Sequence, residues 1–289
     1  MNTTARMPAV FIGHGSPMNT LEVNRFTAAW RELGRRVPRP RAVLAISAHW
    51  RINSSAVTAM PKPRVIHDFY GFPRELFEYD YPAPGAPDIA REIVDVVKPA
   101  YVGLDHDSWG LDHGTWSVLA HVFPDADVPV LQLSLHAGAP FDYHFELGRR
   151  LAPLRDRGIL VLGSGNVVHN LRRMNPALGD TVYDWGERFD AEVRSIMSGE
   201  PARLLSVASH PDYALAVPTS EHLLPLLYLA GLCEEAREPA RAFVDGGSMG
   251  SITMTSYLLG DVALPDTTAD ASGGDVPDPA RTPPEQTNL

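Results

Sequence analysis

Short apolar runs alternate with stretches of helical periodicity along most of the chain. Strand-like apolar runs lie at 9–12, 41–47, 128–134 and 159–162. Apolar residues spaced three and four apart predict helices over 26–33, 89–97, 116–122, 141–154, 180–196 and 221–229. A final pair of strands is predicted near 242–244 and 251–257. Strands that alternate with helices pack as a sheet covered on both faces, so we predict a single α/β domain with a mainly parallel, mixed central sheet flanked by helices.

The end of the chain differs in composition from the rest. Residues 264–289 are rich in Pro, Asp, Thr, Gly and Ala and contain almost no large apolar side chain. Such a segment buries too little surface to offset its ordering entropy. We therefore predict a folded domain over 1–263 and a disordered, acidic, Pro-rich tail over 264–289.

The composition limits which kinds of partner the protein is expected to bind and in which cellular compartment it is expected. The net charge of -10 disfavours nucleic acid and anionic membrane surfaces as partners. Apolar runs fall short of the roughly 18 residues that a membrane span needs, and the first seven residues are too short and polar for a secretory signal. Cys233 is the single cysteine, which excludes an internal disulfide and a thiolate metal site. We expect a cytoplasmic protein, either a monomer or a small homo-oligomer.

Three histidines follow predicted strands closely. His14 lies between two glycines after the first strand, His49 follows the second, and His169 comes shortly after Gly163-Ser164-Gly165. Ligands of open α/β sheets bind at the carboxyl ends of the strands, and imidazole is the commonest side-chain ligand for Zn and Fe. A metal site is therefore predicted there. The alternatives are a tight turn at His14, a hydrogen-bonded core histidine at His49 and a phosphate-binding glycine loop before His169.

Two further histidines precede or begin predicted helices. Thr219 or Ser220 can cap the helix that contains His222 in its first turns. Neighbouring helical residues point about 100° apart, so only one of Glu221 and His222 is expected to be a ligand. His113 lies in a loop that enters a helix. It is either a loop residue bonded to its surroundings or a hydrogen-bond donor or acid above a substrate.

Six ordered motifs together resemble one enzyme family. They are GHGSPMN at 13–19, SAHW at 47–50, HDFYGFP at 67–73, DHGTW at 112–116, GSGNVVHN at 163–170 and PTSEHLLPL at 218–226. The chain is similar in these motifs to the class III extradiol ring-cleaving dioxygenases, and most of all to their DOPA 4,5-dioxygenase type. The resemblance extends from about residue 8 to residue 260, which is nearly all of the predicted folded domain.

The resemblance implies roles for particular histidines. His14, His49 and His222 would hold one divalent metal, Fe(II) for activity or Zn(II) as found bound. His169 would be an additional ligand or the acid/base for the catechol protons, and His113 would contact bound oxygen or substrate. The implied substrates are a small aromatic diol and O2. In the wider class the third ligand is a carboxylate, whereas here His222 occupies that position, which leaves Fe(II) and Zn(II) both open.

Substrate contacts can also be predicted. A dry aromatic pocket is expected to seat the ring, and its candidate walls are Trp50, Phe69, Tyr70, Phe72 and Trp116. A carboxylated catechol would need a cation, for which Lys62, Arg64 and Arg74 are candidates. Two other functions compete with ring cleavage. A zinc hydrolase is weakened by the lack of an HExxH motif, and a non-catalytic binding protein is weakened by the intact histidines.

Overall fold

A computed structural model describes residues 6–264, which contain ten strands. The strands are β1 (Ala9–Gly13), β2 (Ala42–Ile52), β3 (Ala56–Thr58), β4 (Gly103–Asp105), β5 (Val130–His136), β6 (Ile159–Gly165), β7 (Arg241–Val244), β8 (Gly247–Ser248), β9 (Ile252–Thr253) and β10 (Ser256–Leu259). Eight of them form one sheet in the order β4-β3-β5-β2-β6-β1-β10-β7, while β8 pairs with β9.

Helices cover both faces of this sheet. They are α1 (Arg25–Arg36), α2 (Arg74–Phe77), α3 (Pro87–Val96), α4 (His113–Val122), α5 (Phe141–Arg150), α6 (Pro153–Asp156), α7 (Asp184–Ser198), α8 (Tyr213–Ala216) and α9 (Leu224–Ala236). The residues between them include short 3-10 helices at Pro17–Thr20, Leu171–Arg173, Pro176–Leu178 and Pro201–Ser209.

The four middle strands, β5, β2, β6 and β1, are parallel to one another. Their carboxyl ends therefore open on the same edge of the sheet. Antiparallel strands lie on either side of this block, since β3 runs against β5 and β10 runs against β1. The predicted α/β fold with a mixed central sheet is confirmed. The short strands β3 and β4 were not predicted, because three residues are too few to show a period of two.

Each face of the sheet has its own apolar core. On one face α1 and α4 contribute the fully buried Trp30 and Trp116. On the other face α3, α5, α7 and α9 pack together, with Phe189 and Tyr228 among the buried side chains. Burial on both faces explains why the middle strands are almost uniformly apolar rather than alternating.

Two predicted strand ends were wrong. β2 continues to Ile52 instead of ending at residue 47, so His49 lies within the strand. The extension is stabilised by Trp50, which is buried and stacks on Trp109 at a ring-centroid distance of 5.7 Å. Gly163-Ser164-Gly165, predicted as a turn, is the buried end of β6 and pairs with β1.

Several helix boundaries also differ from the prediction. α9 begins at Leu224 rather than at residue 221, because Pro225 favours the first helical turn and leaves His222 in the preceding turn. α4 begins earlier than predicted, at His113, because Asp112 caps it. α7 begins at Asp184 instead of residue 180, and the helix predicted over 141–154 is divided into α5 and α6. The strand predicted over 251–257 is likewise divided, into β9 and β10.

The predicted tail, 264–289, lies outside the described residues except for Leu264. Between residues 6 and 264, none of the helices combines the length and the apolar character required to cross a membrane.

Candidate metal centre

Five histidines meet at the carboxyl edge of the parallel strands. His14 follows β1, His49 lies in β2, His113 opens α4, His169 follows β6, and His222 precedes α9. The ring centroid of His14 lies 5.2 Å from that of His49 and 5.4 Å from that of His222. The ring centroids of His49 and His113 are 4.0 Å apart. The topology thus assembles one histidine cluster from five distant segments of the chain.

Backbone contacts fix the segments that carry these rings. The His14 N–H donates to the Gly165 carbonyl at 3.0 Å, and the Asn166 N–H donates to the His222 carbonyl at 2.9 Å. A Cβ on Gly165 would lie 2.1 Å from the His222 carbonyl oxygen, so only glycine permits this approach. The end of β6 therefore positions both His14 and His222.

The hydrogen bonds of Ser164 determine the tautomer of His14. The Ser164 hydroxyl donates to the Gly114 carbonyl at 2.5 Å and lies 2.9 Å from His14 Nδ1. Its single proton is already used, so its oxygen accepts the proton of His14 Nδ1. The other ring nitrogen of His14, Nε2, therefore carries a free lone pair.

Asp68 likewise lies against the Nδ1 atoms of two further rings, those of His113 and His49. Its Oδ1 accepts from His113 Nδ1 at 2.9 Å and from the His113 backbone N–H at 3.0 Å, while Oδ2 lies 3.3 Å from His49 Nδ1. Burial raises the pKa of Asp68, but the hydrogen bonds and charges of His113 and His49 outweigh it and lower that pKa to about 2. An ionised carboxylate only accepts, so His113 Nδ1 carries the proton of its hydrogen bond, and Oδ2 favours a proton on the facing Nδ1 of His49.

The resulting arrangement of nitrogen atoms fits a metal ion. His14 Nε2 and His49 Nε2 lie 3.3 Å apart, and the positions of Ser164 and Asp68 favour a lone pair on each of them. Two imidazoles bound to one ion at about 2.1 Å place their nitrogens roughly 3.0 to 3.4 Å apart. Ligand atoms of His14, His49 and His113 all lie within 4.8 Å of one another. The donor set therefore suits a divalent cation, which would relieve the repulsion between the facing lone pairs.

The cluster suits a cation, because burial keeps the rings of His14, His49, His169 and His222 neutral at pH 7. Burial, followed by the charges of the other histidines, lowers the pKa values of His14 and His222 well below the usual 6.5. Burial also lowers the pKa of His49 to about 3 and that of His169 to about 4. A metal ion entering this site would displace few protons.

His169 and His222 stack on each other. Their ring centroids are 3.4 Å apart and their planes differ by 10°. His222 Nδ1 is buried without a hydrogen-bond partner among the described residues, although Glu221 Oε1 lies 3.5 Å away. Imidazole ligates in the plane of its ring, so two parallel stacked rings do not direct their lone pairs at one ion. In this arrangement only one of the two histidines can be a ligand.

All five histidines predicted as site residues are brought together, but their individual roles stay predictions. The set with mutually close ligand atoms contains His113, for which the resemblance implied a contact with bound oxygen or substrate. It does not contain His222. Sequence reasoning missed Asp68 and Ser164 as residues that orient the ligands. Both lie inside motifs that it quoted, and an acid beside an aromatic run was the available signal for Asp68.

Some of the predicted substrate contacts lie beside the histidine cluster, and others lie on the surface. Phe69 is buried, with its ring centroid 5.6 Å from that of His113, whereas Tyr70 is 81% exposed. Arg74 pairs with Glu78 on an exposed helical turn. Arg64 donates to the carbonyl of Ser108.

Comparison with known proteins agrees with this geometry. Residues 7–257 match the family described as the catalytic LigB subunit of aromatic ring-opening dioxygenase. The chain belongs to this family, which confirms the predicted class, a ring-cleaving dioxygenase.

Several relatives cover nearly the whole folded region. A protein of Escherichia coli K12 named 4,5-DOPA dioxygenase extradiol is 45% identical over 262 residues, which are 89% of this chain and 96% of the relative. A Beta vulgaris protein of the same name is 34% identical over 85% of this chain and 96% of its own length. The crystal structure of an uncharacterized Escherichia coli K12 protein superposes with a TM-score of 0.77 at 43% identity, covering 88% of this chain and 100% of that one.

Proposed function

We propose that this protein is a metal-dependent extradiol dioxygenase that inserts O2 into a catechol-type ring and opens it. The observation that carries the proposal is the convergence of Nε2 lone pairs from His14 and His49 at 3.3 Å. The names of the relatives support a DOPA-like catechol as a substrate. A cytoplasmic location and a monomeric or small homo-oligomeric state stay predictions.

His14 and His49 would hold the metal together with His222. The position of the His222 ring, whose centroid lies 5.4 Å from that of His14 and 5.2 Å from that of His49, supports its role as the third ligand. His113 is the alternative third ligand, because its ligand atom lies within 4.8 Å of those of His14 and His49. A metal bound there would bring a catechol and O2 together and lower the pKa of the catechol hydroxyl.

The remaining polar groups would handle protons. His169 is neutral at pH 7, because burial lowers its pKa to about 4. It can therefore accept a catechol proton at a ring nitrogen and return it later. His113, held by Asp68, would contact the substrate hydroxyl, and Phe69 beside it would exclude water from that side.

Metal reconstitution tests this proposal directly. The protein would be loaded without oxygen with Fe(II) or with Zn(II), and O2 consumption would then be followed with a series of catechols. We expect a ring-opened yellow product only with Fe(II), and one O2 consumed for each catechol.

Two outcomes would contradict it in different ways. Hydrolysis of an ester or amide by the Zn(II) form without O2 consumption would favour the zinc hydrolase. Failure to bind either metal, together with no turnover of any catechol, would favour a binding protein.

A further inference from the structure

An arginine lies on the strand that carries one of the proposed ligands. Arg51 follows His49 by two residues near the end of β2, where the pairing of β2 with β5 shifts register between Ile46 and Arg51. Trp50, between them, is buried against Trp109, whereas Arg51 is exposed. Two residues of a strand span about 6.6 Å, which places Arg51 a short distance from the histidine cluster.

The contacts of Arg51 place it beside the histidine cluster. Its NH1 lies 3.4 Å from Glu221 Oε2, and the other carboxylate oxygen of Glu221 lies 3.5 Å from His222 Nδ1. The charge of Arg51 also contributes to the lowered pKa of His222. The Arg51 side chain is 38% exposed, so it is accessible from the mouth of the cleft.

The guanidinium has unused hydrogen-bonding capacity. Among residues 6–264, Glu221 is its single hydrogen-bond or ion-pair partner, and one NH1 contact is made. Glu221 is held independently, because Thr219 Oγ1 donates to its Oε1 at 2.6 Å. A guanidinium offers five N–H donors in a fork that matches a carboxylate in a bidentate manner.

We propose that Arg51 binds the carboxylate of a catechol whose ring carries a short acidic side chain. The inference rests on the proposed ring-cleaving function and adds the residue that would recognise the acidic side chain. The ring would lie at the histidines with its hydroxyls inward, and the acidic side chain would point along β2 toward the mouth of the cleft. Glu221 would keep the guanidinium turned toward the carboxylate.

This assignment replaces the cations expected from the sequence. Arg74 is engaged with Glu78 on an exposed turn, where its side chain is 85% accessible. Arg64 is engaged with the carbonyl of Ser108. Neither of them shows a contact with the histidines, whereas Arg51 is linked to His222 through one carboxylate.

The test compares Arg51→Gln with wild-type enzyme, both loaded with Fe(II), on four catechols. Dihydroxyphenylalanine and dihydroxyphenylpropionate carry a carboxylate, whereas dopamine and 4-methylcatechol do not. For the two acids we expect KM to rise about 10- to 100-fold, the range for losing hydrogen bonds to a charged group, with kcat within about twofold of wild type. For the other two we expect both constants to stay unchanged. Arg74→Gln is the matched surface control and should resemble wild type on all four.

Binding measured without turnover gives an independent result. Calorimetric titration of Zn(II)-loaded protein with dihydroxyphenylpropionate should show the same loss of affinity in Arg51→Gln. Arg51→Lys should retain part of the affinity, because it keeps the charge and loses the fork.

Equal losses on all four catechols would overturn the proposal, because Arg51 would then act by holding Glu221 and His222 in place. Unchanged KM values for both acids would overturn it too. If wild-type enzyme fails on 4-methylcatechol and dopamine as well as on the acids, the proposed function itself fails.

Discussion

At the scale of single residues, protonation states decide what the histidine cluster can bind. Ser164 accepts from His14 Nδ1, and Asp68 accepts from His113 Nδ1 and lies 3.3 Å from His49 Nδ1. The Nε2 atoms of His14 and His49 face each other at 3.3 Å. Without a cation, lone pairs on these two nitrogens repel each other. Partners that fix the tautomer of a histidine also raise its basicity as a ligand. The choice of an acid and a hydroxyl at these two positions therefore prepares the site before any metal arrives.

The first prediction concerns Asp68. Asp68→Asn removes the charge and leaves one acceptor oxygen for His49 and His113, so metal affinity should fall about 10- to 100-fold. Competition with a chromophoric chelator measures this affinity. Asp88→Asn, on the exposed surface of α3, is the control and should leave affinity unchanged. Equal affinity in Asp68→Asn and wild type would show that the carboxylate does not orient the ligands.

The second prediction separates ligands from the proton-handling residue. His169→Ala should retain most of the bound metal and lose most turnover, whereas His14→Ala should lose the metal. His222→Ala and His113→Ala identify the third ligand, because we expect metal loss in the former. Metal content by elemental analysis is the measurement. If His169→Ala loses as much metal as His14→Ala, then His169 is a ligand and the proposed proton role is wrong.

At the scale of elements, glycines set how closely segments approach. Gly165 lets the end of β6 contact the turn before α9, and Gly148 lets α5 pack against α9. Both approaches are backbone to backbone, so a side chain cannot rotate away to make room. The first positions a proposed ligand, and the second only packs the core.

The third prediction uses this contrast. In Gly165→Ala the new Cβ would lie 2.1 Å from the His222 carbonyl oxygen, so the turn must shift and metal affinity should fall. In Gly148→Ala it would lie 2.4 Å from the Tyr228 carbonyl oxygen, away from the site. Gly148→Ala should cost about 1–3 kcal/mol of unfolding free energy and leave the metal affinity of the folded protein unchanged. Chemical denaturation and metal titration measure the two effects. Equal metal affinity in Gly165→Ala and wild type would contradict the positioning role.

At the scale of the whole molecule, the fold buries an unusual number of neutral imidazoles. Burial disfavours the charged ring and so lowers the pKa values of five histidines below 6.5. They are His14, His49, His144, His169 and His222. The unfolded chain takes up protons near pH 6.5, whereas the folded chain does so only at lower pH. Folding therefore becomes coupled to pH in the acidic range.

The fourth prediction is that the metal-free protein loses stability on acidification. Below pH 6.5 the unfolded state binds more protons than the folded state, so the free energy of unfolding falls by up to about 1.4 kcal/mol per pH unit for each such histidine. For His144 the loss continues down to its folded pKa of about 4. Chemical denaturation between pH 8 and pH 5 measures the slope. His144→Gln, outside the cluster, should reduce the slope, and a pH-independent stability would contradict the prediction.

The fold and the members of the site were predictable to different degrees. Apolar runs such as Ile159–Leu162 predicted the strands, because a strand buried on both faces must be apolar along its length. The end of β2 was not predictable, because Trp50 extends the strand by stacking on Trp109, which is distant in sequence. The start of α9 was predicted too early, since the capping residues before His222 were given more weight than Pro225.

The sequence by itself determined the α/β class, the family motifs and the five histidines that meet at one edge of the sheet. These depend on local composition and on the rule that parallel strands end together. Only the tertiary structure revealed that Asp68 contacts two rings, that His169 stacks on His222, and that Arg51 pairs with Glu221 beside His222. Hydrogen bonds and ring stacking depend on distances of a few ångströms between remote segments, and no spacing along a single chain specifies those distances.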